Sequence, residues 1–175
     1  MGIQPIGRML PPGTTVTLPP RELQRCAWPT PNAAGAWVFV TENPSIASAA
    51  ADLAGSGDSI RLLCTDGTPS AAEISAIARI ASAGWRVAVR ADFDASGLGH
   101  VAATLKGVPG SVPWRMGADD YIQSVAPGMT EEVVLEQIPD TPWDPRLAVA
   151  MPRRESLSSF DSSPDRAFER SQYHR

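Results

Sequence analysis

The stretch WRVAVRADFDASG, residues 85–97, decides how this chain is read. Trp85 to Ala91 has the alternation of a strand, with Val87, Val89 and Ala91 on one side. It ends at Asp92-Phe93-Asp94. A helix follows over roughly Ser96 to Lys106, where Leu98, Val101, Ala102 and Leu105 share a face. A strand that ends in acids and passes directly into a helix is a parallel α/β unit. Ligands of such units gather at the carboxyl ends of the strands.

Two similar units precede it. Ala36 to Glu42 (AWVFVTE) is almost continuously apolar until its end, as in a strand covered on both faces. Asn43-Pro44 stops it, Asn as a cap and Pro in a first turn. Ile46, Ala49, Ala50 and Leu53 then keep helical spacing up to Gly55 and Gly57. The second strand is Ile60 to Thr65, followed by an Asp66-Gly67 turn. Ser70 and Glu73 have capping-box spacing ahead of a helix lined by Ile74, Ile77 and Ala81 and closed by Gly84. Strand and helix in this rhythm predict an α/β fold with a mainly parallel sheet and right-handed crossovers. The order is 2-1-3, flanked by helices, with a fourth short strand over Pro113 to Met116. Beyond it, Asp119 to Ala126 reads as a short helix. Thr130 to Ile138 fits helix or strand, and Trp143 to Met151 reads as a helix opening on Asp144-Pro145.

The 175 residues suit one domain with tails. Seven prolines crowd the start (Pro5, Pro11, Pro12, Pro19, Pro20, Pro29, Pro31), and the end is rich in Arg, Ser and Asp. The expected division is a Pro-rich flank over 1–35, an organised domain over 36–151 and a polar tail over 152–175. Hydrophobic residues make up 43%, enough for a core, and the net charge of −4 excludes a basic nucleic-acid clamp. Any DNA contact therefore needs a local arginine cluster, a metal ion or another subunit. Cys26 and Cys64 lack metal-type spacing, and no signal peptide or membrane-length apolar run is present, so the expected compartment is the cytoplasm, with no membrane contact.

The chemistry falls on acids. Glu42 ends strand one; Asp92 and Asp94 end strand three. Alternation would point the two aspartates to one face, where like charges repel and a divalent cation relieves the conflict. An Asp-x-Asp is also compatible with a solvated turn. If strands one and three are neighbours, the three carboxylates converge at a topological switch point. Such a set suits Mg²⁺ or Mn²⁺, completed by water and substrate phosphate. Gly97 would let backbone approach closely at a helix start. Gly67, with Thr68 and Ser70, could meet phosphate or simply cap a helix. Asp119 and Asp120 are auxiliary ligand candidates, although acids at a helix start are the commoner reading. His100, one turn into the third helix, could approach the site, although a surface helix residue is the commoner reading. Arg115 beside Trp114 could meet DNA, but Trp114 packing in the core beside a solvated Arg is the default.

The run of motifs resembles a known family. TENP (41–44), CTDGTPS (64–70) and ADFDASG (91–97), in that order, look like a Toprim domain, the fold of topoisomerases, primases and related nucleases. The stretch from about Trp37 to Met151, with PWRMGADDYI and TPWDPRLAVAM, resembles the C-terminal domain of the JetD-like nuclease subunit of Wadjet anti-plasmid systems. ADFDASG is also similar to the Asp-x-Asp-Pro-x-Gly motif of the topoisomerase VI A subunit. The resemblance implies that Glu42 is the general acid/base and, with Asp92 and Asp94, holds Mg²⁺ or Mn²⁺. It implies a DNA endonuclease working through a larger complex with an SMC-like ATPase and accessory subunits, and it allows a homodimer. Ala91 and Ala95 depart from the family's Gly and Pro without removing a ligand. The absence of the family's N-terminal region and the mismatched tail suggest a truncated or frame-shifted member. Two rivals stand beside this: a non-catalytic remnant or interaction module, and a phosphatase of the haloacid dehalogenase type. The latter needs its Asp pair after strand one and a lysine from a separate strand, whereas Lys106 is the only lysine here.

Overall fold

The computed structural model describes residues 15–54, 61–125 and 139–151. Its elements are α1 (Pro20–Arg25), β1 (Trp37–Thr41), α2 (Pro44–Leu53), β2 (Leu62–Cys64), α3 (Ala71–Ser82), β3 (Arg86–Arg90), α4 (Ala95–Gly107), β4 (Val112–Pro113), α5 (Ala118–Ser124) and α6 (Leu147–Ala150). The strands form one parallel sheet in the order β2-β1-β3-β4. This is an α/β Rossmann-like arrangement, with the expected 2-1-3 core extended by a short fourth strand. The readings placed on Thr130 to Ile138 and on the tail from residue 152 lie outside the described residues.

Local chemistry sets the element ends. Asn43 Oδ1 accepts the Ser45 N–H at 2.9 Å and Pro44 opens α2. Ser70 and Glu73 form the expected capping box at the start of α3. The chain leaves α3 through Gly84 at φ +101°, a left-handed conformation that a side chain would strain. The Trp143 to Met151 helix is shorter than expected. Asp144 accepts the Ala118 N–H at 2.9 Å and bonds Arg146, which holds the preceding residues in turns until Leu147.

Alternation on β1 and β3 sends Val40, Val87 and Val89 into one core with Ile77 of α3 and Leu98 and Val101 of α4. Met116, Tyr121, Leu147 and Met151 extend that core past the β4 edge. Side chains such as Leu98 are fully removed from water, and each contributes roughly 1.5–3 kcal/mol by burial. A second cluster gathers Val38, Ile80 and Trp85 around Trp28. Part of the Pro-rich stretch belongs to it. Pro29 accepts the Trp85 indole N–H at 2.7 Å, the Leu23 carbonyl accepts from Arg79, and Cys26 is buried. Helix α1 is thereby fixed onto α3.

Candidate metal centre

Parallel register pairs Thr41 with Arg90, so β1 and β3 end level with each other. Glu42 leaves β1 one residue later and Asp92 leaves β3 two residues later. The two meet: Glu42 Oε1 accepts the Asp92 main-chain N–H at 2.9 Å. Glu42 is 9% exposed, whereas Asp92 is exposed. Gly97, in the first turn of α4, closes over this contact. A Cβ built there would lie 2.1 Å from the Asp92 carbonyl oxygen and 2.7 Å from Glu42 Oε1. The close approach expected at Gly97 is thus present, and its neighbours are Asp92 and Glu42.

Asp94 plays a part that alternation did not suggest. β3 stops at Arg90, so Asp92 and Asp94 lie beyond the strand and strand geometry does not apply to them. Asp94 is the N-cap of α4, its Oδ1 accepting the Gly97 N–H at 2.7 Å. One oxygen of Glu42 and one of Asp94 are thereby committed to main-chain donors. Their second oxygens and both Asp92 carboxylate oxygens have no hydrogen-bond partner among the described residues. The convergence of Glu42, Asp92 and Asp94 expected from the sequence is corrected: Asp94 is turned into the cap of α4, and among those residues no three His, Cys, Asp or Glu side chains come together as a metal-holding group. The donor chemistry nevertheless fits a hard divalent cation: carboxylate oxygens from adjacent strand ends, with the most exposed of them free.

The Asp66-Gly67 turn forms the floor beside Glu42. Both residues have positive φ, 52° and 100°. The Gly67 N–H donates to the Glu42 carbonyl at 3.0 Å. The Gly67 carbonyl accepts from Thr65 Oγ1 at 2.8 Å and from His100 Nδ1 at 3.2 Å. A carbonyl only accepts, so the proton of the neutral ring sits on Nδ1. His100 is fully buried, and the surface placement read from the sequence is corrected: the side of α4 that carries it faces this turn. Burial holds its imidazole below the ordinary histidine range, partly offset by the Gly67 bond and by Glu42 nearby. Nothing in the spacing of α4 marked His100; only the crossing of α4 over the β2 turn does.

The remaining candidates lie elsewhere. Asp120 Oδ2 accepts the Gly117 N–H at 3.0 Å, and Asp119 pairs with Arg146 at 3.2 Å. Both occupy the first turn of α5, as acids at a helix start do. Trp114 is 44% exposed, so its default assignment to the core is corrected: it lies on Phe39, ring centroids 4.9 Å apart.

A family described as "Protein of unknown function C-terminus (DUF2399)" matches residues 16–158. The chain belongs to this family. The DUF2399 match contains Glu42, Asp92, Asp94 and every described element, α1 included. No curated protein and no solved structure matches. Among the described residues no helix is long and apolar enough to cross a membrane.

Proposed function

We propose that this DUF2399 domain is a divalent-metal-dependent DNA endonuclease of Toprim type, serving a plasmid-restricting SMC-type complex. The observation that carries the reading is the Glu42–Asp92 contact at the carboxyl ends of neighbouring β1 and β3 under Gly97. Ligands of parallel α/β sheets collect at that place. The order of motifs around it supports the same reading. Glu42, Asp92 and the second oxygen of Asp94 would hold Mg²⁺ or Mn²⁺. When bound, the ion supplies Lewis acidity toward a phosphodiester and lowers the pKa of a water. Glu42, whose Oε1 accepts the Asp92 amide, would take the proton of the attacking water. A larger complex would supply the DNA-gathering surface and SMC-like ATPase.

A second reading is an interaction module that keeps the fold without catalysis. The use of Asp94 as a helix cap favours it, since that carboxylate has a structural role sufficient to retain it. Supercoiled plasmid incubated with the full chain and Mg²⁺ or Mn²⁺ separates the two. The nuclease reading expects nicking that disappears in Glu42→Gln and Asp92→Ala. Nicking that survives both substitutions contradicts it.

A further inference from the structure

Helices α3 and α4 clothe the sheet face that carries Val40, Val87 and Val89. Among the described residues the opposite face is covered only in part. The crossover from β1 to β2 runs in the reverse direction to those that follow, so its helix α2 lies on this other face. Helix α2 packs against β1 and β2 and touches neither β3 nor β4. Beyond α2 this face is formed by the outward positions of β1 and β3 and the end of β4, where Thr41 and Ala88 are buried beneath their larger neighbours, Trp37 and Phe39 are half-buried, and Arg86, Trp114 and Arg115 are exposed. Trp37 is in register with Arg86, and Phe39 with Ala88, so their side chains leave the same side.

These side chains form a continuous run. The Trp37 and Phe39 rings stack with centroids 6.3 Å apart, and Trp114 follows Phe39 at 4.9 Å. Arg86 lies 3.9 Å over the Trp37 ring, and Arg90 and Arg115 lie 5.9 and 5.8 Å from the Trp114 ring. None of the three arginines forms an ion pair among the described residues. The outward positions of β1 and β3 (Trp37, Phe39, Thr41, Arg86, Ala88, Arg90) contain no acid, in a chain whose net charge is −4. Stacking on an indole holds a guanidinium flat and leaves its N–H edge to meet an anion.

We propose that this face binds single-stranded DNA, with a base stacked on the exposed Trp114 ring and phosphates held by Arg86, Arg90 and Arg115. Three guanidinium groups would be costly to bury against an apolar partner, whereas phosphates neutralise them. Trp114, 44% exposed, offers a flat ring to an unpaired base, whereas a duplex hides its base faces in the stack. Arg90 ends β3 two residues before Asp92, so a strand crossing this face reaches the end of the sheet where Glu42 and Asp92 lie. The inference rests on the nuclease reading for the choice of DNA as ligand.

The test is fluorescence anisotropy of the full chain with fluorescein-labelled oligothymidylate in EDTA, over a salt series, beside a duplex of equal length. The single strand is expected to bind more tightly than the duplex. Trp114→Ala is expected to weaken it about tenfold or more. Arg86→Ala with Arg115→Ala is expected to weaken binding and to lower the salt dependence by roughly 1.4 in slope. Circular dichroism checks that these surface variants stay folded. Absence of binding at low salt, equal binding by the variants, or a Trp114-dependent dimer in sedimentation without DNA binding overturns the proposal. Asp92→Ala separates it from the nuclease reading. Trp114-dependent binding without Asp92-dependent nicking removes the nuclease reading alone; Asp92-dependent nicking without Trp114-dependent binding removes this one alone.

Discussion

The carboxylate of Glu42 accepts the main-chain N–H of Asp92 at 2.9 Å, joining the ends of two neighbouring parallel strands. Gly97 sits where a methyl group would strike both partners. Position, donor and acceptor are therefore interdependent.

Gly97→Ala should destabilise the domain at the upper end of the ~1–3 kcal/mol typical of overpacking, since the nearest obstruction is backbone. Gly99→Ala is the control. Nothing lies within 4 Å of its Cβ position, and replacing a helical glycine there should stabilise by about 0.5–1 kcal/mol. Urea denaturation of both variants measures the contrast. Equal effects would mean that the packing at Gly97 is looser than described.

Asp94 is asked to be both helix cap and metal ligand. Asp94→Ala should cost about 1 kcal/mol through loss of the Gly97 bond. Asp94→Asn keeps a capping oxygen and should retain most of that stability while weakening Mn²⁺ binding. Thermal melts in EDTA, followed by Mn²⁺ titration, distinguish the roles. If the Asn variant binds Mn²⁺ as the natural chain does, Asp94 is a cap and nothing more.

His100 imposes a pH dependence on folding. Its imidazole in the folded chain is held below the ordinary value of 6.5 by burial, so near that pH the unfolded chain binds more protons. Stability is undiminished by this group above about 6.5 and falls as the pH drops below it, until the folded ring itself protonates. Melting temperatures between pH 8 and 5 should decline more steeply for the natural chain than for His100→Leu, whatever the absolute stability of the variant. Parallel slopes would show that His100 is not kept neutral by the fold.

The features legible in the sequence were those written in local chemistry. The apolar runs of β1 and β3, the Asn43-Pro44 start of α2 and the Ser70–Glu73 capping box each depend on residues a few positions apart, and the strand-helix rhythm then leaves few topologies. The strand-end position of Glu42 was legible for the same reason. Three features depended on distant parts of the chain. His100 looked like a surface residue because nothing in α4 announces that Gly67, thirty-three residues earlier, will accept its proton. Asp94 looked like the outward partner of Asp92 because alternation was extended past Arg90, where the strand had already stopped. Trp114 looked like core because a tryptophan usually is; its neighbour Phe39 comes from a strand two places away in the sheet.

Glu42 and Asp92 are proposed to mark a divalent-metal site, and Mn²⁺ binding to the full chain measures this without requiring partner subunits or turnover. Calorimetric titration, checked by the electron spin resonance of free Mn²⁺, should show a saturable site competed by Mg²⁺, weakened at least about tenfold in Asp92→Asn and in Glu42→Gln, each loss corresponding to one carboxylate ligand removed. A chain that binds no Mn²⁺, or binds it equally well after both substitutions, contradicts the account.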